Sequence, residues 1–177
     1  MQKLVVKDST SNLSKATVIR AINWLYHSGI IGYCGKIVEL DILDFKPGRR
    51  CYFMDLGIAN FYMTQVGLDE ASINGALNEN YVYINLAKRL DFPQQIVFET
   101  PAFATYKNGE IDFYVQSLKE RKRYVVEVDG RQSGNTAKKA LEDGKADYLL
   151  YLKGNTHGGV EGKTIPRPIY TLERFRF

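Results

Sequence analysis

The sequence predicts a mixed α/β fold, and three features carry that prediction. Apolar residues recur at helical spacing through about Ala76–Leu90, and the period changes to two from Gln95 onward. A helical stretch, roughly Thr136–Asp143, then separates the last two strand patterns. Helix, three strands, helix, strand is an α/β sandwich with a mixed sheet. The chain has 177 residues, 45% hydrophobic and 25% charged, room for one domain or one domain plus a fragment. That mixture excludes disordered and fibrous classes.

The first element is a helix over Leu13–Ser28, with Val18, Ala21, Ile22 and Leu25 on one face and Ala16, Arg20, Asn23 and His27 on the other. Gly29 ends it. Ile30–Tyr33 and Lys36–Leu43 read as strands around a turn at Cys34-Gly35. Helix, glycine and strand pair match the end of a winged helix-turn-helix, which needs two earlier helices. Residues 1–45 are therefore expected to be a partial winged helix, with the numbering beginning inside that domain. Residues 46–75 read as a linker. Lys46-Pro-Gly-Arg-Arg50 is turn-rich, Cys51–Met54 is a short strand, and Asp55 is placed to cap a helix through Ile58, Phe61 and Tyr62. Gly67–Gly75 has little pattern. Residues 76–177 form the main domain, whose first helix directs Leu77, Tyr81, Ile84 and Leu86 inward. Strands follow at Gln95–Phe98 with a run on to Ala104, at Glu110–Gln116, Arg123–Asp129 and Asp147–Leu152.

No run approaches the ~20 apolar residues of a membrane span. Met1–Asp8 lacks the apolar block of a signal peptide, so no membrane partner is expected, and the two cysteines of the chain suit a reduced, cytoplasmic setting. Cys34 and Cys51 make neither a disulfide framework nor a metal quartet. With two histidines, any metal would have to sit among carboxylates. The net charge of +4 is a mild tilt toward polyanionic partners.

Gly109-Glu-Ile-Asp-Phe-Tyr-Val115 and Tyr124-Val-Val-Glu-Val-Asp-Gly130 are the most informative segments. A hairpin centred on Lys119-Glu120 sets Asp112 opposite Glu127 and Glu110 opposite Asp129, with the four carboxylates on one face. Ile111, Phe113 and Val115 then meet Val128, Val126 and Tyr124 on the other, and a one-residue slip would put the acids into the core. Like charges across a ladder cost stability. A divalent cation would turn that repulsion into coordination, and hard oxygen ligands suit Mg²⁺ or Mn²⁺. An ordinary solvated acidic face is the plain alternative.

Asp112, then Glu127-Val-Asp129, preceded by a helix with Glu79, resembles the PD-(D/E)XK restriction-endonuclease-like fold. Six segments, in order, are similar to the C-terminal region of a family of bacterial and archaeal AAA-type ATPases. They are Ala16-Thr-Val-Ile-Arg-Ala-Ile-Asn-Trp-Leu-Tyr26, Tyr52-Phe-Met-Asp-Leu-Gly57, Asn78-Glu-Asn-Tyr-Val82, Gly109-Glu-Ile-Asp-Phe-Tyr-Val115, Val126-Glu-Val128 and Ile165-Pro-Arg-Pro-Ile-Tyr170. In that family a winged helix links the ATPase to a nuclease-like domain of unknown function.

The resemblance implies that an ATPase domain of the same chain precedes this region and that nucleic acid is a partner. It also implies that Asp112, Glu127 and Glu79 hold Mg²⁺ or Mn²⁺ for phosphodiester hydrolysis. Active members usually carry Lys two residues after the second acid. Asp129 stands there instead, able to ligate a metal but not to supply positive charge. Arg131, Lys138 or Lys139 could bring a cation back. The implied catalytic set is thus Asp112, Glu127, Asp129 and Glu79, degenerate at one place. The same fold used as a non-catalytic interaction module is the alternative. A DNA-binding regulator working through Lys15 and Arg20 of the first helix is a third.

His157-Gly-Gly-Val-Glu-Gly-Lys-Thr164 nearly spells a phosphate-binding loop, but its first glycine is missing and Ile165-Pro-Arg-Pro168 cannot start the required helix. ATP binding by this region is not expected. Two basic clusters, Lys119 with Arg121, Lys122 and Arg123, and Lys46 with Arg49 and Arg50, could contact phosphate; each reads more simply as a solvated turn.

Overall fold

A computed structural model describes residues 14–44, 50–90, 101–117, 120–128 and 134–177. Ser14 caps the first helix, α1 (Lys15–His27), by accepting the Thr17 N–H at 3.1 Å. Gly29, at φ 70°, follows its end. β1 (Ile31–Val38) then runs unbroken through Cys34-Gly35, where the sequence places a turn. Cys34 pairs with Arg50 and Gly35 with Ala102, so both belong to the interior of the sheet. The reversal falls at Glu39 and Leu40, which adopt left-handed φ of 53° and 57° and bring β2 (Ile42–Asp44) back against β1.

β3 (Arg50–Phe53) precedes α2 (Leu56–Gln65), and Asp55 caps that helix as its sequence position requires, accepting the Ile58 N–H at 2.9 Å. α3 (Glu70–Leu90) starts well before Ala76. Asp69 explains the earlier start, because its carboxylate accepts both the N–H and the hydroxyl of Ser72, at 3.0 and 2.5 Å. The expected strand at Gln95–Phe98 lies outside the described residues.

β4 (Ala102–Tyr106), β5 (Gly109–Gln116), β6 (Arg123–Val128), α4 (Gly134–Glu142) and β7 (Tyr148–Lys153) follow. Among the described residues, the order from α3 to β7 is helix, three strands, helix, strand. β8 (Thr164–Pro168) and a 3₁₀ turn, Ile169–Arg174, have no counterpart in the sequence reading. β8 escapes it because of Pro166 and Pro168, which a strand tolerates only at a sheet edge; β8 ends the sheet, parallel to β7.

The strands form one mixed sheet in the order β2-β1-β4-β5-β6-β7-β8, with β3 on the first half of β1. This sheet crosses the boundaries expected at residues 45 and 75. β1 pairs in parallel with β4, and its Ile31, Cys34 and Ile37 are buried. A helix covers each face. Val82, Tyr83 and Leu86 of α3 pack with Phe113, Val126, Leu150 and Leu172, whereas Ala137 and Ala140 of α4 pack with Ile111, Tyr114, Val125 and Leu149. Gly109 lets α4 approach, because a Cβ there would collide with the Thr136 side chain.

β5 and β6 pair in the register the apolar pattern demands, Phe113↔Val126 through Gln116↔Arg123. One residue departs from that pattern. Ile111 joins the α4 face rather than meeting Val128, which lies on the α3 face with Phe113 and Val115. The cause is a β-bulge. β4 pairs Ala102 with Tyr114 but Ala104 with Ile111, so Asp112 and Phe113 together oppose Phe103. The extra residue reverses the alternation toward the start of β5.

Candidate functional site

The bulge, the start of β3 and the middle of α3 meet on one side of the sheet. Arg50, the first residue of β3, is fixed by the β1 ladder and turns its guanidinium into this corner. Its Nη1 donates to Glu79 Oε1 at 2.8 Å and to the Tyr52 hydroxyl at 3.4 Å. Its Nη2 pairs with Glu110 of β5. The Tyr52 hydroxyl donates to the same Glu79 oxygen. The guanidinium lies over the Phe103 ring, 4.3 Å from its centroid, so one side of the cation is shielded from water. Tyr52 is held in turn by the stacked Tyr83 ring at 4.5 Å and by Phe113 at 5.9 Å. Burial, reinforced by the Glu79 charge, pushes the Tyr52 phenol up, so it stays a donor.

Asp112 occupies the bulge itself. Its Oδ2 accepts the Val128 N–H at 2.8 Å, just beyond the last β5–β6 ladder pair. A side chain thus takes over where the ladder stops. Burial raises its carboxyl to about 6; the Val128 hydrogen bond works against that rise, the Glu79 charge adds to it, and Arg50 opposes it. Nearby Cys34, buried in β1, is raised by burial to about 12 and remains a neutral thiol.

Glu79, Glu110 and Asp112 therefore gather around Arg50 on the α3 side. Glu127 does not join them. It is fully buried, and the alternation of β6 sets it with Val125 on the α4 face, while Val126 and Val128 face α3. The expectation of four carboxylates on one face is corrected accordingly: the bulge turns Asp112 away from Glu127. Asp129 and Arg131 lie outside the described residues. Lys138 and Lys139 are exposed on α4, and Lys15 and Arg20 are exposed on α1.

Of the two basic clusters, Lys119, Lys46 and Arg49 lie outside the described residues and Arg121 is exposed, while Arg123 and Arg50 are tied into the fold. Arg123 is tied to Asp147 through its side chain at 3.2 Å and its backbone N–H at 2.8 Å, and its Nη2 donates to the Gly144 carbonyl at 2.9 Å. Lys122 lies 3.4 Å from Glu120 and over the Tyr148 ring. Arg50, which the sequence offers only as part of a solvated basic turn, is the functional candidate whose role the structure changes most. Its sequence signal is weak, a cation at the end of a Pro-Gly-Arg turn; what singles it out is the ladder partner that directs it inward.

Divalent coordination asks for several carboxylate oxygens free to converge on one point. Here Glu79 and Glu110 already accept from Arg50. Among the described residues no three His, Cys, Asp or Glu side chains converge closely enough to hold a metal ion. In this arrangement Glu79 and Glu110 are engaged by a guanidinium rather than set around a position for Mg²⁺ or Mn²⁺. Among the described residues, no helix is long and apolar enough to cross a membrane. No family model, curated protein or solved structure matches the chain.

Proposed function

We propose that this chain is a nuclease-like domain of an AAA-type ATPase, associated with nucleic acid and degenerate in its hydrolytic site. The observation that carries the reading is Arg50 clasped between Glu79 and Glu110 beside Asp112, at the bulge of the second strand of a helix, three-strand, helix, strand unit. The element order and the places of Glu79 and Asp112 support the restriction-endonuclease-like core, whereas the place of Glu127 on the other face speaks against an intact hydrolytic site. α1 followed by the β1–β2 hairpin supports a winged-helix remnant joined to it. The internal cation and the Asp129 replacement together support binding without cleavage. A domain of this kind holds the phosphate backbone for its ATPase through exposed cations such as Lys138, Lys139, Lys15 and Arg20, a sequence-independent contact that weakens with salt.

A gel-shift series with duplex DNA, single-stranded DNA and RNA at rising salt tests this reading. A shift at low salt that disappears as salt rises supports it. No shift at any salt overturns it in favour of the interaction module.

That second reading has an observation of its own. α1 buries no residue, and Trp24 on it is 64% exposed. On α2, Phe61 and Tyr62 are 57% and 56% exposed, and Val66 just after it is 66% exposed. Such apolar exposure suits a protein partner.

A further inference from the structure

We infer that Arg50 is the resident cation of this domain, standing in the carboxylate cluster of Glu79, Glu110 and Asp112 where a nuclease of this fold would hold a divalent ion. The inference rests on the nuclease-like reading and goes beyond it by naming the group that replaces the metal.

Three features make Arg50 more than a surface ion pair. Exposed pairs contribute little because both side chains are free to leave and solvent screens them. Arg50 is only 24% exposed, lies over Phe103, and comes from a strand whose backbone is paired with β1. It also spans two elements, α3 through Glu79 and β5 through Glu110, as the planar guanidinium fork permits and an ammonium does not. Third, Tyr52 bonds to the same Glu79 oxygen, so that atom is already doubly occupied. A divalent ion entering here would have to break these contacts and then sit beside a fixed positive charge. Removing the guanidinium reverses the situation: the carboxylates lose their compensating charge, and a hard cation becomes the simplest way to restore it.

Calorimetric titration with Mn²⁺ tests this on the whole chain. Arg50→Gln keeps much of the side-chain length and removes the charge, and Arg50→Lys keeps the charge. The expected result is that Arg50→Gln binds Mn²⁺ about tenfold or more tightly than the parent. Arg50→Lys should stay at the parent's level, and adding Asp112→Asn to Arg50→Gln should abolish the gain. A folded Arg50→Gln protein with no gain, or a gain that survives Asp112→Asn, overturns the assignment. Should Arg50→Gln lose its cooperative unfolding transition, the parent decides. A Mn²⁺-dependent rise in its Tm that Asp112→Asn removes overturns the inference, and an unchanged Tm upholds it. Failure of the gel shifts would instead overturn the nucleic-acid reading, whatever the Mn²⁺ result.

Discussion

Asp112→Asn should stabilise this protein at neutral pH and do so less and less as the pH falls. The folded state raises this carboxyl from its ordinary value of 3.8 to about 6, chiefly by burial. Between those values the folded chain holds a proton at Asp112 that the unfolded chain has released. Stability from this group is therefore fully present below 3.8 and lost as the pH rises through about 6. The gap corresponds to about 3 kcal/mol at pH values above both. Asparagine has no such penalty, and its carbonyl oxygen can still accept the Val128 N–H. Urea unfolding of parent and variant, at a series of pH values from below 4 to 8 without divalent metal, isolates the effect, because other titrating groups are common to both. The stability difference should grow with pH toward about 3 kcal/mol in favour of Asp112→Asn. A difference that stays flat over this range, or a parent that is more stable at the alkaline end, would show that Asp112 is an ordinary solvated carboxylate.

Three further outcomes are expected. Val126→Asp should cost more than about 4 kcal/mol, because it removes a fully buried Val and places a carboxyl among Phe113, Leu150 and Val82; a denaturation midpoint near the parent's would refute the strand register. Asn80→Ala should cost about 2–4 kcal/mol by urea unfolding, since Asn80 both accepts the Phe53 N–H at 2.9 Å and donates to the Phe53 carbonyl at 2.7 Å, tying α3 to β3. EDTA should leave the thermal transition of the parent unchanged, and loss of cooperative unfolding would reveal a structural metal.

The legible parts of the fold were those written in side-chain periodicity. The β5–β6 register follows from Phe113 and Val115 matching Val126 and Tyr124, and the cap at Asp55 follows from its place before an apolar helix. What the sequence hides is geometry that has no period. A bulge is one extra residue, and Glu110-Ile-Asp-Phe113 alternates as smoothly as an unbroken strand, so the turning of Asp112 away from Glu127 leaves no mark in it. β1 reads as two strands because Gly35 weakens the apolar pattern at the point where β4 comes alongside. β8 is concealed by prolines that only its edge position tolerates. Arg50 is where sequence and structure differ most. Beside Pro47, Gly48 and Arg49 it reads as solvated, and only its pairing with Cys34, far away in the chain, directs it toward Glu79. The candidate acids were legible as types; the cation that neutralises them was not.

The most direct test of the account is diffraction from crystals of the parent chain soaked in Mn²⁺, recorded where manganese scatters anomalously. The account predicts no anomalous peak beside Asp112, with the Arg50 guanidinium still lying between Glu79 and Glu110. A manganese peak ligated by Asp112 and Glu79, with Arg50 displaced from the cluster, would contradict it.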